Sequence, residues 1–195
     1  EFAMIERARY CLAGDTGHRT CDIGAGLQLR VEQDIAWVIV RDAVLPVGQW
    51  PAILTGQEIE LPVPGSIELE NGWVFQALLL EASDSSAIAL TRDQDPYQAW
   101  FDADKLGLPL HVRYRRPGDR LQPVGLHGKT VKLSDLMINL KLPYCSRGTW
   151  PLICSGTDII WVPACRRSIF ASIGENTQRI LQLKLFHLTE AEADT

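Results

Sequence analysis

The sequence predicts an α+β protein, mainly β, with a sandwich-like C-terminal part. Three observations carry that expectation: many short runs of alternating or β-branched apolar residues, Gly/Pro punctuation between them, and a single convincing stretch of helical period. At 195 residues and 46% apolar, the chain has the composition of an ordinary soluble globular protein. It is long enough to bury a core without disulfides or a metal, so disorder, collagen and a miniature disulfide scaffold are excluded. The apolar runs, such as Ile35–Val40, fall far short of the ~20 residues that span a bilayer. Five cysteines without CxxC spacing suit a reducing, cytoplasmic setting.

Taken in order, Glu1-Phe2-Ala3-Met4 reads as a cloning scar on an excised fragment, and 5–26 as a short helix near Ile5–Leu12 followed by an irregular connector. Residues 27–108 form an acidic β-rich region. There, Leu27–Val31 and Ile35–Val40 read as a hairpin, then Ile59–Leu61, Ser66–Leu69 and Trp73–Leu80 as strands, the last two joined by Asn71-Gly72. Ile88–Leu90 and Ala99–Asp102 read as further strands. A basic C-terminal domain follows over 109–188, and an acidic tail over 189–195. In the basic part, Leu110–Arg115 alternates, placing Arg113 and Arg115 on one face and Val112 and Tyr114 on the other. Leu133, Leu136, Met137 and Leu140 recur at i, i+3, i+4 and i+7, which predicts an amphipathic helix over 132–140, with Pro143 just beyond it. Leu152–Cys154, Ile159–Val162 and Ile180–Phe186 complete the strands.

Charge separates the halves. Residues 1–108 hold 7 Lys and Arg against 17 Asp and Glu, a net of −10, while 109–188 hold 12 against 4, a net of +8. A basic half on an acidic protein is the footprint of a phosphate-contacting surface, or else a solvated face neutralised by the acids of the same molecule. No catalytic constellation competes with that choice. The sequence has no Gly-rich phosphate loop, no HxxxH or HExxH, and no Cys/His cluster at metal-ligand spacing. Cys154 and Cys165 lie in or beside apolar strands, where a thiol is inert.

The densest cationic stretch is Arg113-Tyr114-Arg115-Arg116-Pro117-Gly118-Asp119-Arg120, followed by Gly128-Lys129 and Lys132. Arginine forks suit phosphate oxygens, while Asp119 suits a turn cap and Gly118 a positive-φ position. The ordered series Val112–Gly125, Lys132–Met137, Lys141-Leu142-Pro143, Arg147, Trp150-Pro151-Leu152, Ile160–Pro163, Thr177 and Leu181–Leu183 resembles the C-terminal domain of bacterial tRNA(Ile)-lysidine synthase. Leu61–Gly65 and Phe101–Asp104 resemble that family's approach to the domain.

That resemblance implies an ATP-dependent ligase that joins lysine to C2 of the wobble cytidine of an isoleucine tRNA. The chemistry, with ATP and magnesium, belongs to an N-terminal domain with a Ser-Gly-Gly-x-Asp-Ser loop, absent from this sequence, so no cofactor and no catalytic residue are expected in it. It further implies a sandwich shared with a domain of the phenylalanyl-tRNA synthetase β subunit. By position, Arg113, Arg115, Arg116, Arg120, Lys129, Lys132, Lys141 and Arg147 become candidates for gripping the acceptor stem. The expected partners are the isoleucine tRNA, the catalytic domain and a possible second copy. A protein-interaction or dimerisation module is the alternative, resting on the acidic half and on Trp73, Trp100 and Trp150.

Overall fold

The computed structural model describes residues 2–14, 19–32, 35–41, 43, 50–54, 56–82 and 95–188. Its contacts divide into two units, Glu1–Pro46 with Pro143–Cys145, and Val47–Leu142 with Ser146–Thr195.

The first unit has helix α1 (Phe2–Ala13) and an antiparallel sheet in the order β1 (Arg19–Gly24), β2 (Leu27–Glu32), β3 (Ile35–Val40). The helix is longer than the expected Ile5–Leu12, taking in Phe2, Ala3 and Met4, and the stretch expected to be an irregular connector contains strand β1. The run Gly24-Ala25-Gly26 is a tight hairpin turn, with Ala25 and Gly26 both at positive φ (51° and 75°), the geometry that matches strand twist. Cys11, Leu29 and Val31 form the small core between α1 and the sheet.

The second unit is layered. One sheet runs β13 (Arg166–Arg167), β12 (Asp158–Val162), β11 (Pro151–Ser155), β8 (Leu110–Tyr114), β4 (Glu58–Leu61). The other runs β5 (Gly65–Glu68), β6 (Trp73–Glu81), β14 (Arg179–His187), β7 (Gln98–Asp102). The Asn71-Gly72 turn joins β5 to β6, both residues at positive φ (61° and 70°), as the dipeptide predicts. Leu61, Leu110, Val112 and Ile153 from the first sheet meet Phe75, Phe101, Leu181 and Leu183 from the second in one core. A bulge opposite Ile153 and Cys154 leaves Ile160 unpaired with β11, and Ile160 and Trp161 both join that core.

The outer face of the five-stranded sheet is covered as well. Helix α2 (Leu133–Asn139) and a two-stranded ribbon of β9 (Arg120–Leu121) and β10 (Val131–Lys132) lay Leu121, Leu133 and Met137 on Leu152, Cys154 and Val162. Every residue of β11 is therefore buried. The charge change at 108/109 lies inside this unit, because β4, β6 and β7 from the acidic region pair with β8 and β14 from the basic one.

The remaining differences concern exposure. Trp100 and Trp150 are core residues, 4% and 1% exposed, so they supply no interaction face. Trp73 is half-buried, stacked on Tyr97 with ring centroids 5.6 Å apart. The expected strand 88–90 and the tail 189–195 lie outside the described residues.

Candidate nucleic-acid interface

The basic segment begins in β8, where alternation turns Val112 toward the intersheet core and Arg113 to the opposite face, beside Leu152 of β11. That face is roofed by the turn and ribbon that follow. Arg116-Pro117-Gly118-Asp119 is a turn closed by the Asp119 N–H donating to the Arg116 carbonyl at 3.2 Å. Pro117 presets its first corner and Gly118, at φ +88°, its second, which only a residue without Cβ adopts freely. The turn aims Asp119 back at β8. Its Oδ2 and Oδ1 accept from Arg113 Nη1 (2.8 Å) and Nη2 (3.0 Å), and Oδ2 also accepts from the Arg116 N–H (2.7 Å).

This makes Arg113 a correction to the sequence reading. Its side chain is 7% exposed and its fork is committed to Asp119, so it holds the ribbon rather than a ligand. Burial pushes the Asp119 carboxyl up, but the Arg113 bonds and the Arg116 N–H outweigh it and hold Asp119 below the usual carboxylate range.

From Asp119 the chain enters the ribbon, whose register sets Arg120 directly opposite Lys132, both exposed. Neither has a carboxylate partner among the described residues. Two local rules are broken at once. Like charges face each other across a ladder, and Lys132 also occupies the N-cap of α2, where a cation opposes the helix dipole and no side-chain cap forms. The loop between the strands is folded back by the Gln122 side-chain amide donating to the Gly128 carbonyl (2.6 Å), and it carries exposed Lys129.

Beyond α2, Leu142 N–H donates to the Met137 carbonyl and Lys141 N–H to the Ile138 carbonyl, the paired bonds of a Schellman ending. That motif puts exposed Lys141 at φ +57°, where glycine is the usual occupant. Half-buried Arg147 reaches the same helix end, Nε donating to the Leu142 carbonyl at 2.7 Å. Arg115 is half-buried, and Arg116 is exposed and paired with Glu58 at 2.6 Å, as the self-neutralising reading of the charges expects.

Sequence reasoning missed Arg166 and Arg167. They lie far downstream, and only the fold brings them in: Val124 N–H donates to the Arg167 carbonyl and Ile169 N–H to the Gln122 carbonyl, laying β13 and its continuation along the strand that leaves Arg120. The one available signal was the Arg-Arg pair itself. Cys154 and Cys165 are pushed by burial to about 11 and about 12, so neither is a nucleophile at neutral pH. Among the described residues, no three His, Cys, Asp or Glu side chains are placed to hold a metal ion, and no helix is long and apolar enough to cross a membrane.

Comparison with known proteins adds to this geometry. Residues 110–183 match the profile of the TilS substrate C-terminal domain. The chain is similar to a tRNA(Ile)-lysidine synthase of Clostridium acetobutylicum, 42% identical over 86 residues, covering 44% of this chain and 18% of that protein. Another from Symbiobacterium thermophilum is 44% identical over 114 residues, covering 53% and 23%. The chain spans about a fifth of the length of these curated relatives. A solved structure described as the crystal structure of TILS C-terminal domain superposes with a TM-score of 0.59 at 30% identity, covering 68% of this chain and 98% of that one.

Proposed function

The chain belongs to the family of the tRNA(Ile)-lysidine synthase C-terminal domain, and from that premise we propose that it is the tRNA-recognition part of such a ligase, gripping the acceptor stem of an isoleucine tRNA. The carrying observation is the exposed Arg120–Lys132 pair, held side by side at a cost that a phosphate would relieve. In this reading Lys129, Lys141, Arg115, Arg116 and Arg147 add further phosphate contacts, with Arg116 exchanging Glu58 for phosphate. Duplex RNA is read through its backbone, 2′-hydroxyls and shape, so these cations position the tRNA, and most sequence discrimination lies elsewhere.

In this reading the parent enzyme joins lysine to the wobble cytidine in the cytoplasm, and its sandwich is of the type shared with the phenylalanyl-tRNA synthetase β subunit. In the same reading ATP and magnesium belong to the N-terminal domain of the parent enzyme. No step of adenylation is therefore assigned to this chain.

The test is fluorescence anisotropy of the chain with an isoleucine tRNA and an unrelated tRNA across a range of salt. Arg120→Ala and Lys132→Ala are each expected to reduce the slope of log affinity against log salt by about one. Unchanged slopes in both variants would refute phosphate contact at the ribbon.

A further inference from the structure

Next to the ribbon, four large apolar side chains stand exposed: Val124 (37%), Leu126 (42%), Ile169 (41%) and Phe170 (42%). They come from two segments bound edge to edge. Pro123 bridges Ser168, the Ile169 N–H donates to the Gln122 carbonyl at 2.8 Å, and the Val124 N–H donates to the Arg167 carbonyl at 3.1 Å.

Phe170 is the planar member, and its backbone is fixed on both sides. Buried Ser168 accepts the Phe170 N–H on its Oγ at 3.1 Å and donates its own N–H to the Ile160 carbonyl at 2.7 Å. Buried Ala171 joins the intersheet core and accepts from the Asp102 N–H at 2.8 Å. Two cations converge on the next residue. Arg167 Nη1 donates to the Ser172 hydroxyl (3.3 Å), and Lys105 Nζ to the Ser172 carbonyl (3.1 Å) while also pairing with the Asp102 carboxylate (2.7 Å). On the other flank, Gln122 continues the strand that bears Arg120.

An exposed aromatic side chain on a fixed backbone, carried by a segment paired to the strand that leaves Arg120, matches a nucleobase joined to phosphates. Paired bases are already stacked on one another, so only an unpaired one can use it. Resting on the RNA-binding reading above, we infer that Phe170 is a stacking platform for one unpaired nucleobase of the bound RNA, beside the ribbon that holds the duplex phosphates.

The experiment compares binding of the chain to a blunt RNA duplex and to the same duplex with a short single-stranded 3′ extension. The extension is expected to tighten binding about 5- to 150-fold, the usual worth of one stacked base. Phe170→Ala should remove that gain, leaving blunt-duplex affinity, the salt slope and the melting temperature unchanged, and Phe170→Trp should restore it. Arg120→Ala with Lys132→Ala should weaken both ligands and lower the slope. No gain from the extension, or equal losses on both ligands in Phe170→Ala, overturns the stacking site while leaving the ribbon reading intact. Salt-insensitive self-association abolished by Phe170→Ala would make the patch a protein face and also overturn it. Failure to bind even the blunt duplex would refute the RNA reading itself.

Discussion

Removing Asp119 should damage stability far more than its near-surface turn suggests. In Asp119→Ala, Arg113, with a side chain 7% exposed, loses both carboxylate bonds (2.8 and 3.0 Å) and keeps its 3.0 Å contact to the Tyr114 carbonyl, its contact with Cys154 and the more distant charge of Glu58. An uncompensated buried charge of this kind costs about 3–5 kcal/mol, a large fraction of the 5–15 kcal/mol that usually holds a domain together. The turn also loses the bond from the Arg116 N–H. Asp119→Asn, which can keep that bond, should cost less. Replacing both partners by apolar residues should recover most of the loss, because it removes the charge that would otherwise be buried alone. Urea unfolding followed by tryptophan fluorescence measures each variant. The pH dependence follows from the depressed carboxyl. Its contribution is complete above the ordinary carboxylate value near ~4, is lost as pH falls through the lower folded-state value, and is missing from Asp119→Asn. A cost below about 1 kcal/mol, the worth of a solvated pair, would refute the buried-pair argument. So would an Arg113→Met variant that keeps its stability and loses one unit of RNA salt slope.

Two further expectations follow from the same geometry. Lys141→Gly should lower the RNA salt slope by about one, while in urea the relief of left-handed backbone strain, about 1 kcal/mol, is offset by loss of the interactions of the lysine side chain. An unchanged slope would remove Lys141 from the RNA contacts. Cys154 and Cys165 should resist a thiol reagent at neutral pH until the protein unfolds. Stability should also decline above about pH 9, as the unfolded thiols ionise near their ordinary 9.0 while the folded ones hold their protons to about 11 and about 12. Rapid labelling of either thiol in the folded chain would count against their burial.

How much was legible depended on the length scale of the signal. The helical period of Leu133, Leu136, Met137 and Leu140 located α2 to within a residue at each end, and Asn71-Gly72 located its hairpin, because both patterns are carried by neighbours in the chain. Two-residue strands such as β9, β10 and β13 have too few residues to show a period. Strand β1 escaped for another reason. Its residues are nearly all half-buried, so apolar and polar positions do not alternate cleanly, and Gly24 reads as a loop residue.

The candidate site divides along the same line. Local composition and resemblance were enough to mark the segment from Arg113 to Arg147 as basic, turn-rich and phosphate-suited, and alternation was enough to put Arg113 on the face opposite Val112. Burial is decided by what covers a face. Only the roof of ribbon and helix over the five-stranded sheet turned Arg113 into the anchor of Asp119, and only strand register set Arg120 beside Lys132. The arrival of Arg166, Arg167 and Phe170 alongside Gln122–Val124 is likewise a tertiary event. It depends on backbone hydrogen bonds between segments more than forty residues apart in the sequence, and no periodicity within either segment encodes that pairing.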